Sequence, residues 1–136
     1  MIWMLDTNIL VYFMSRKPGF DRIARRMSGR SPGELRLSAI TLAELRFGIE
    51  RGEFRLENET ALEGLLDLLQ ADAFPAGAAL DFGKIKSALA SDGVSIGPYD
   101  LLIAAHARHI GATLVTNNER EFRRVPDLTI QNWAKA

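Results

Sequence analysis

The sequence predicts an α/β protein of three layers, in which a short, mostly parallel sheet is flanked by helices. Three observations lead there. Brief apolar runs of strand length, at residues 2–5, 35–38 and 113–116, are separated by longer stretches whose apolar residues recur every three or four positions. Strands alternating with helices form βαβ units, which bury a parallel sheet between two helical layers. The chain has 136 residues, 47% apolar and 25% charged, which is the size and composition expected of one globular domain over residues 1–136.

Taken in order, residues 2–5 read as a buried strand running into Asp6-Thr7-Asn8, a helix-capping sequence. A first helix over residues 9–14 is broken by Pro18-Gly19. Phe20, Ile23, Ala24 and Met27 share one face of a second helix, with arginines opposite. Ser31-Pro32-Gly33 is a turn, and residues 35–38 alternate as a strand does. Thr41-Leu42-Ala43-Glu44 opens the next helix, with Leu45 and Ile49 inside and Gly52 as its stop. Leu62, Leu65, Leu66 and Leu69 form a further apolar stripe, and Phe74-Pro75 a brief edge strand. A helix over residues 78–90 follows. Pro98 suits the first position of another, which reaches Ile110 and ends at Gly111. That helix is apolar on most sides, so it is expected to be buried. Residues 113–116 and 128–130 complete the strands.

Composition narrows function by exclusion. Without cysteine there is no disulfide, no thiolate chemistry and no cysteine-ligated zinc. No apolar run approaches the ~20 residues that cross a bilayer, so no membrane association is expected. The opening residues lack the basic start of a secretory signal, which leaves the cytoplasm as the expected compartment. Net charge is zero but unevenly spread. Residues 1–36 carry seven basic and three acidic groups, and the remainder ten basic and fourteen acidic. Such a basic segment is either a solvated helix face or a surface that holds a polyanion beside an acidic centre.

In parallel sheets covered on both faces, the ligand site lies beyond the carboxyl ends of the strands. That rule singles out Asp6, Glu44, Asp100 and the segment Asn117-Asn118-Glu119 with Glu121. Each acid alone has a structural explanation. Asp6 can cap a helix, Thr41-x-x-Glu44 matches a capping box, and Asp100 sits where the helix dipole favours a carboxylate. Together they point elsewhere. Carboxylates gathered among apolar neighbours without cationic partners are costly, and a divalent cation relieves that cost. All-oxygen donors favour Mg²⁺ or Mn²⁺ over zinc. His106 and His109 do not share the face of Asp100 and read as ordinary helix residues. No phosphate-loop lysine, nucleophile elbow or His-Glu-x-x-His pattern is present.

Four motifs occur together in a distinctive order and spacing. They are Asp6-Thr7-Asn8 behind an apolar strand, Thr41-x-x-Glu44-Leu45-x-x-Gly48, Gly97-Pro98-Tyr99-Asp100-Leu101-Leu102-Ile103-Ala104-Ala105, and Thr116-Asn117-Asn118-x-x-x-Phe122. With them the chain resembles a PIN domain, and more narrowly the VapC ribonuclease toxins of bacterial toxin–antitoxin pairs, from Met1 to about Trp133. The resemblance implies a PIN-like fold and a Mg²⁺-dependent endoribonuclease, with Mn²⁺ as a substitute. Its substrate would be RNA, often tRNA, and a cognate VapB-type antitoxin would hold it inactive. It further implies a homodimer, and a higher oligomer with the antitoxin. The family's catalytic, metal-holding acids map onto Asp6, Glu44 and Asp100, and Thr7, Thr116 and Asn118 fall where site-lining polar groups stand. Many members carry a fourth acid at the place of Asn118. Either three acids suffice here, or Glu119 or Glu121 reaches in. Arg46 and Arg120 are candidates for contact with the RNA backbone.

Two other readings compete. One is a catalytically weakened PIN-like module that binds RNA or protein. The other is an aspartyl-phosphate protein, against which Asn8 and Asn117-Asn118 stand where such chemistry wants Asp and Lys. Metal-dependent RNA cleavage separates the nuclease from both. Finally, Leu62, Leu65, Leu66 and Leu69, with Leu45, Phe47 and Ile49, are expected to form either a partner-binding apolar surface or part of the core.

Overall fold

A computed structural model describes residues 1–136, and its centre is the wholly buried strand β1 (Trp3–Leu5). From there the chain winds through α1 (Thr7–Met14), α2 (Phe20–Met27), β2 (Leu35–Ser38), α3 (Ala39–Arg51), α4 (Arg55–Leu66) and β3 (Gln70–Asp72). It continues through α5 (Ala78–Ser91), α6 (Pro98–His109), β4 (Thr113–Val115), α7 (Glu119–Phe122) and β5 (Ile130–Gln131). The five strands form one sheet in the order β3-β2-β1-β4-β5, and every neighbouring pair is parallel.

Period-two alternation divides the core between the two faces of the sheet. Trp3, Leu5, Leu35, Leu37 and Val115 point to one side, where Ile9, Leu10, Ile23, Met27, Leu45, Ile49, Leu62 and Leu65 meet them. Met4 and Leu114 point to the other, against Ile85, Leu89, Leu101, Ile103, Ala104 and Phe122. Helices α1 to α4 therefore cover one face and α5 to α7 the other, which is the three-layer arrangement expected. Each large aliphatic side chain so buried contributes about 1.5–3 kcal/mol relative to exposure.

The boundaries follow from local chemistry. Asp6 caps α1, its Oδ1 accepting the Ile9 N–H at 2.9 Å. Gly19 enters α2 at φ +102°, a conformation that favours glycine. Pro98 starts α6, and Gly111 turns the chain out of it at φ +70°.

Three expectations need correction, and one element is new. The Thr41-x-x-Glu44 capping box does not form, because α3 starts earlier: Ser38 is its cap, with Oγ accepting the Ile40 N–H at 3.1 Å. Thr41 is buried inside the helix, which frees the Glu44 carboxylate. The strand expected at Phe74-Pro75 lies at Gln70–Asp72, where backbone pairing with Arg36, Leu37 and Ser38 supplies what the polar side chains do not. Phe74 instead sets its ring edge against His106, with centroids 5.5 Å apart. The leucine stripe is core, not a partner surface: Leu45, Ile49, Leu62, Leu65 and Leu69 are buried, and of that set only Phe47 is largely exposed, at 69%. The one-turn helix α7 was not anticipated.

Candidate active site

The chain builds outward from β1 first to β2 and β3, then crosses to β4 and β5 on the opposite side. The winding reverses between β1 and β4, and such a reversal opens a crevice at the strands' carboxyl ends. Asp6 follows β1 and Thr116 follows β4 at that point, joined by the Asp6 N–H donating to the Val115 carbonyl at 3.0 Å.

Asp6 is only 2% exposed. Besides the Ile9 amide, its carboxylate receives a hydrogen bond from the Thr116 side chain. Thr116 in turn accepts the Asn118 N–H at 2.9 Å. Burial pushes the Asp6 carboxyl up to about 7, against the pull of these donors, and the charges of Asp100 and Glu44 add to the rise. Asp100, in the first turn of α6, is pushed up to about 6 by burial and by the charges of Glu121 and Glu44. Glu44 lies on α3, one turn beyond its first residues, and its Oε1 accepts the Thr7 hydroxyl at 2.6 Å. Thr41 Oγ1 stands 3.3 Å from the same Thr7 oxygen.

The structure thus gathers Asp6, Glu44 and Asp100 from three separate elements, with Thr7 and Thr116 against two of them. No lysine, arginine or histidine pairs with any of the three; the ion pairs of the molecule run elsewhere. As the side chains stand, they do not close into a three-ligand metal cage. They have no compensating cation, and burial first, with repulsion among neighbouring acids second, raises the proton affinity of Asp6 and Asp100. An uncompensated set of carboxylate and hydroxyl oxygens fits a hard divalent cation.

The neighbouring acids divide. Glu121 Oε2 accepts the Asn118 Nδ2–H at 2.7 Å and its Oε1 faces the Gly97 N–H at 3.4 Å, so it lies beside Asp100. Glu119 is turned away, bound by Lys135 at 2.6 Å, Asn132 at 3.1 Å and Arg123 at 3.5 Å, contacts that lower its carboxyl. Arg46 is engaged by Glu59 at the surface. Arg120 is exposed, on a polar cavity with Asn118 and Glu121.

His106 and His109 stay outside the acid site. His109 Nδ1 meets Asp81 at 3.0 Å, where Arg108 also binds. His106 is buried, and burial lowers its proton affinity. Its Nδ1 lies 2.8 Å from Ser38 Oγ. This contact fastens the start of α3 to α6, the two helices that carry Glu44 and Asp100. Sequence reasoning missed it because 68 residues separate Ser38 from His106 and no spacing rule links them.

A cavity of about 540 Å³ opens from Thr7 and Glu44. Its remaining walls are Ile40, Ala43, Phe47, Tyr99 and Leu102, and the rings of Phe47 and Tyr99 are 69% and 59% exposed.

Comparison with known proteins agrees with this geometry. The sequence profile of the PIN domain matches residues 3–128. The chain is 38% identical to Ribonuclease VapC2 of Rickettsia felis, over 99% of this chain and all of that protein. It is 36% identical to the tRNA(fMet)-specific endonuclease VapC of Shigella flexneri, over 97% and 98% of the two chains. Among solved structures, it superposes on a chain of the DNA-bound VapBC of Salmonella typhimurium with a TM-score of 0.90 and 36% identity, covering 98% of both.

Proposed function

The chain belongs to the PIN domain family, and from that membership we propose that it is a VapC-type ribonuclease toxin whose Asp6, Glu44 and Asp100 form a Mg²⁺-dependent centre for RNA hydrolysis. The observation that carries this reading is the convergence of three carboxylates, from β1, α3 and α6, with no cation of the protein to balance them.

The residues divide the work. Asp6 and Asp100 would hold the Mg²⁺ ion, and Glu44 would complete the set. When bound, the metal supplies a Lewis acid that eases formation of hydroxide and offsets charge growing on the phosphate. Ile9 and Thr116 fix the orientation of Asp6. Thr7 holds one oxygen of Glu44, which leaves the other to accept a proton from the attacking water. Water then adds to phosphorus, the bond to the departing ribose oxygen breaks, and that oxygen takes up a proton from solvent while Glu44 gives its own back to solvent. Mn²⁺, with the same preference for oxygen, would substitute.

RNA is the substrate that the surroundings favour. Single-stranded loops are recognised by stacking of unpaired bases on aromatic rings. Phe47 and Tyr99 offer such rings beside Glu44. A tRNA target is consistent with the tRNA(fMet)-specific relative of Shigella flexneri. Asn118 stands where many relatives have a fourth acid, and Glu121 takes that place beside Asp100. Glu119 and Arg46 are engaged by other partners, Lys135 and Glu59, and the reading does not depend on either.

The matched solved structures are VapBC complexes, which supports a VapB-type antitoxin as partner and a higher oligomer with it. An antitoxin arginine entering among the three acids would supply the cation they lack. Apolar contact with the antitoxin or with a second copy falls to exposed groups such as Phe47, Phe54 and Leu56, since the leucine stripe is core. No helix is long and apolar enough to cross a membrane, and the cytoplasm, where tRNA is found, is the proposed compartment.

Induced expression in a bacterium tests this role. The wild-type chain should arrest growth, with tRNA fragments appearing. Asp6→Asn should be harmless, and the small protein encoded beside the gene should rescue growth. Arrest by Asp6→Asn equal to wild type would refute the assignment.

A further inference from the structure

Separate from the aromatic cavity, and sharing no lining residue with it, is one of about 290 Å³, lined by Ser95, Asn118, Arg120, Glu121 and Arg124. No apolar residue takes part in it. Arg120 lies on α7 and Arg124 just beyond its end, and both line this hollow. Neither has a carboxylate partner: Glu119, the nearest acid in sequence to Arg120 apart from Glu121, is bound by Lys135 and Arg123. Glu121, the one acid in the lining, already accepts from Asn118 and faces the Gly97 amide. Two arginines without a salt-bridge partner and a single carboxylate line this polar hollow, which leaves its lining net positive. Guanidinium donors match phosphate oxygens in geometry and charge.

The hollow adjoins the acid site through its own walls. Asn118 is hydrogen-bonded through its N–H to Thr116, which holds Asp6. Glu121 faces Gly97, the residue from which α6 starts, with Asp100 in its first turn. An RNA strand lying over the acids would therefore bring a neighbouring phosphate to the arginines.

We propose that this cavity is a subsite for a backbone phosphate next to the cleaved bond, with Arg120 and Arg124 as its cationic walls and the Ser95 hydroxyl as a further donor. It rests on the ribonuclease reading, and deepens it by separating a phosphate-holding site from the acids that cleave.

The test uses fluorescein-labelled tRNA(fMet) and the full-length Asp100→Asn protein in EDTA, so that binding is measured without cleavage. Adding Arg120→Ala and Arg124→Ala should weaken binding roughly tenfold and reduce the slope of log affinity against log salt by about 0.7–0.9, the value for one phosphate contact. The charge-matched pair Lys84→Ala and Lys86→Ala, on exposed α5 positions, should change affinity less than about twofold. In the cleavage-competent protein, a methylphosphonate at one phosphate flanking the mapped cut should cost wild type as much as the double arginine variant loses. It should cost that variant nothing more. Unchanged affinity and salt slope in the arginine variant would overturn the subsite, as would an equal loss in the lysine pair. Failure of wild type to cleave any RNA would instead strike the ribonuclease reading, while the binding arms still report on the cavity.

Discussion

Asp6 does two jobs with one carboxyl group. It caps α1, as its position in Asp6-Thr7-Asn8 suggested, and it stands at the centre of the acid site. The capping explanation holds for this residue, and it does not compete with the catalytic role proposed for it, since one carboxyl group caps α1 and also faces Asp100 and Glu44. Its pKa and that of Asp100 give a pH dependence. In metal-free protein these groups titrate near 7 and near 6 when folded, against about 4 in the unfolded chain. Between those values the folded state keeps protons that the unfolded state has released. Stability in EDTA should therefore fall as pH rises from about 4 to about 7, then level off. Asp100→Asn removes part of this repulsion. It should abolish cleavage, flatten the lower part of the profile, and raise stability at pH 8 in EDTA by about 1 kcal/mol, a few degrees in Tm. Denaturation followed by circular dichroism checks this. A loss of several kcal/mol would mean that Asp100 serves mainly the helix terminus.

At the level of elements, legibility followed the strength of the local signal. Helix α2 was readable from Phe20, Ile23, Ala24 and Met27, and α6 from Pro98 and its apolar run, because burial imposes a period on the sequence. Strand β3 was displaced by a few residues in the reading, since Gln70 and Ala71 are exposed and only backbone bonds define the strand. Helix α7 has one turn, too short for a period, so Glu119 and Glu121 could not be told apart: their directions depend on Lys135 and Asn118. The acids themselves were legible because strand ends mark the crevice. How α3 and α6 are held in register was not, since Ser38 and His106 meet only in the fold. Ser38→Ala removes both the α3 cap and the partner of His106. It should cost about 1–3 kcal/mol in urea denaturation. The folded protein should also cleave more slowly, because Glu44 loses its fixed relation to Asp100; unchanged stability would contradict the role given to Ser38.

At the scale of the molecule, a neutral chain concentrates its unbalanced acids at one crevice, with aromatic rings on a cavity that Glu44 lines and two unpartnered arginines on another that Glu121 lines. The leucines once open to a partner role fill the core instead. Leu65→Ala should destabilise by about 2–5 kcal/mol while leaving the sedimentation coefficient of the folded protein unchanged. A change of oligomeric state without loss of stability would return that face to the surface. The three converged carboxylates are expected to support RNA cleavage only with a divalent cation. The most direct test of this expectation is the single-turnover rate of tRNA cleavage by the purified protein, titrated with Mg²⁺ from an EDTA-stripped start, for wild type and for Asp6→Asn. The wild type should show no cleavage in EDTA and a saturable rise with Mg²⁺, and Asp6→Asn a rate at least about a hundredfold lower at every concentration. Full cleavage in chelator, or a variant as fast as wild type, would contradict it.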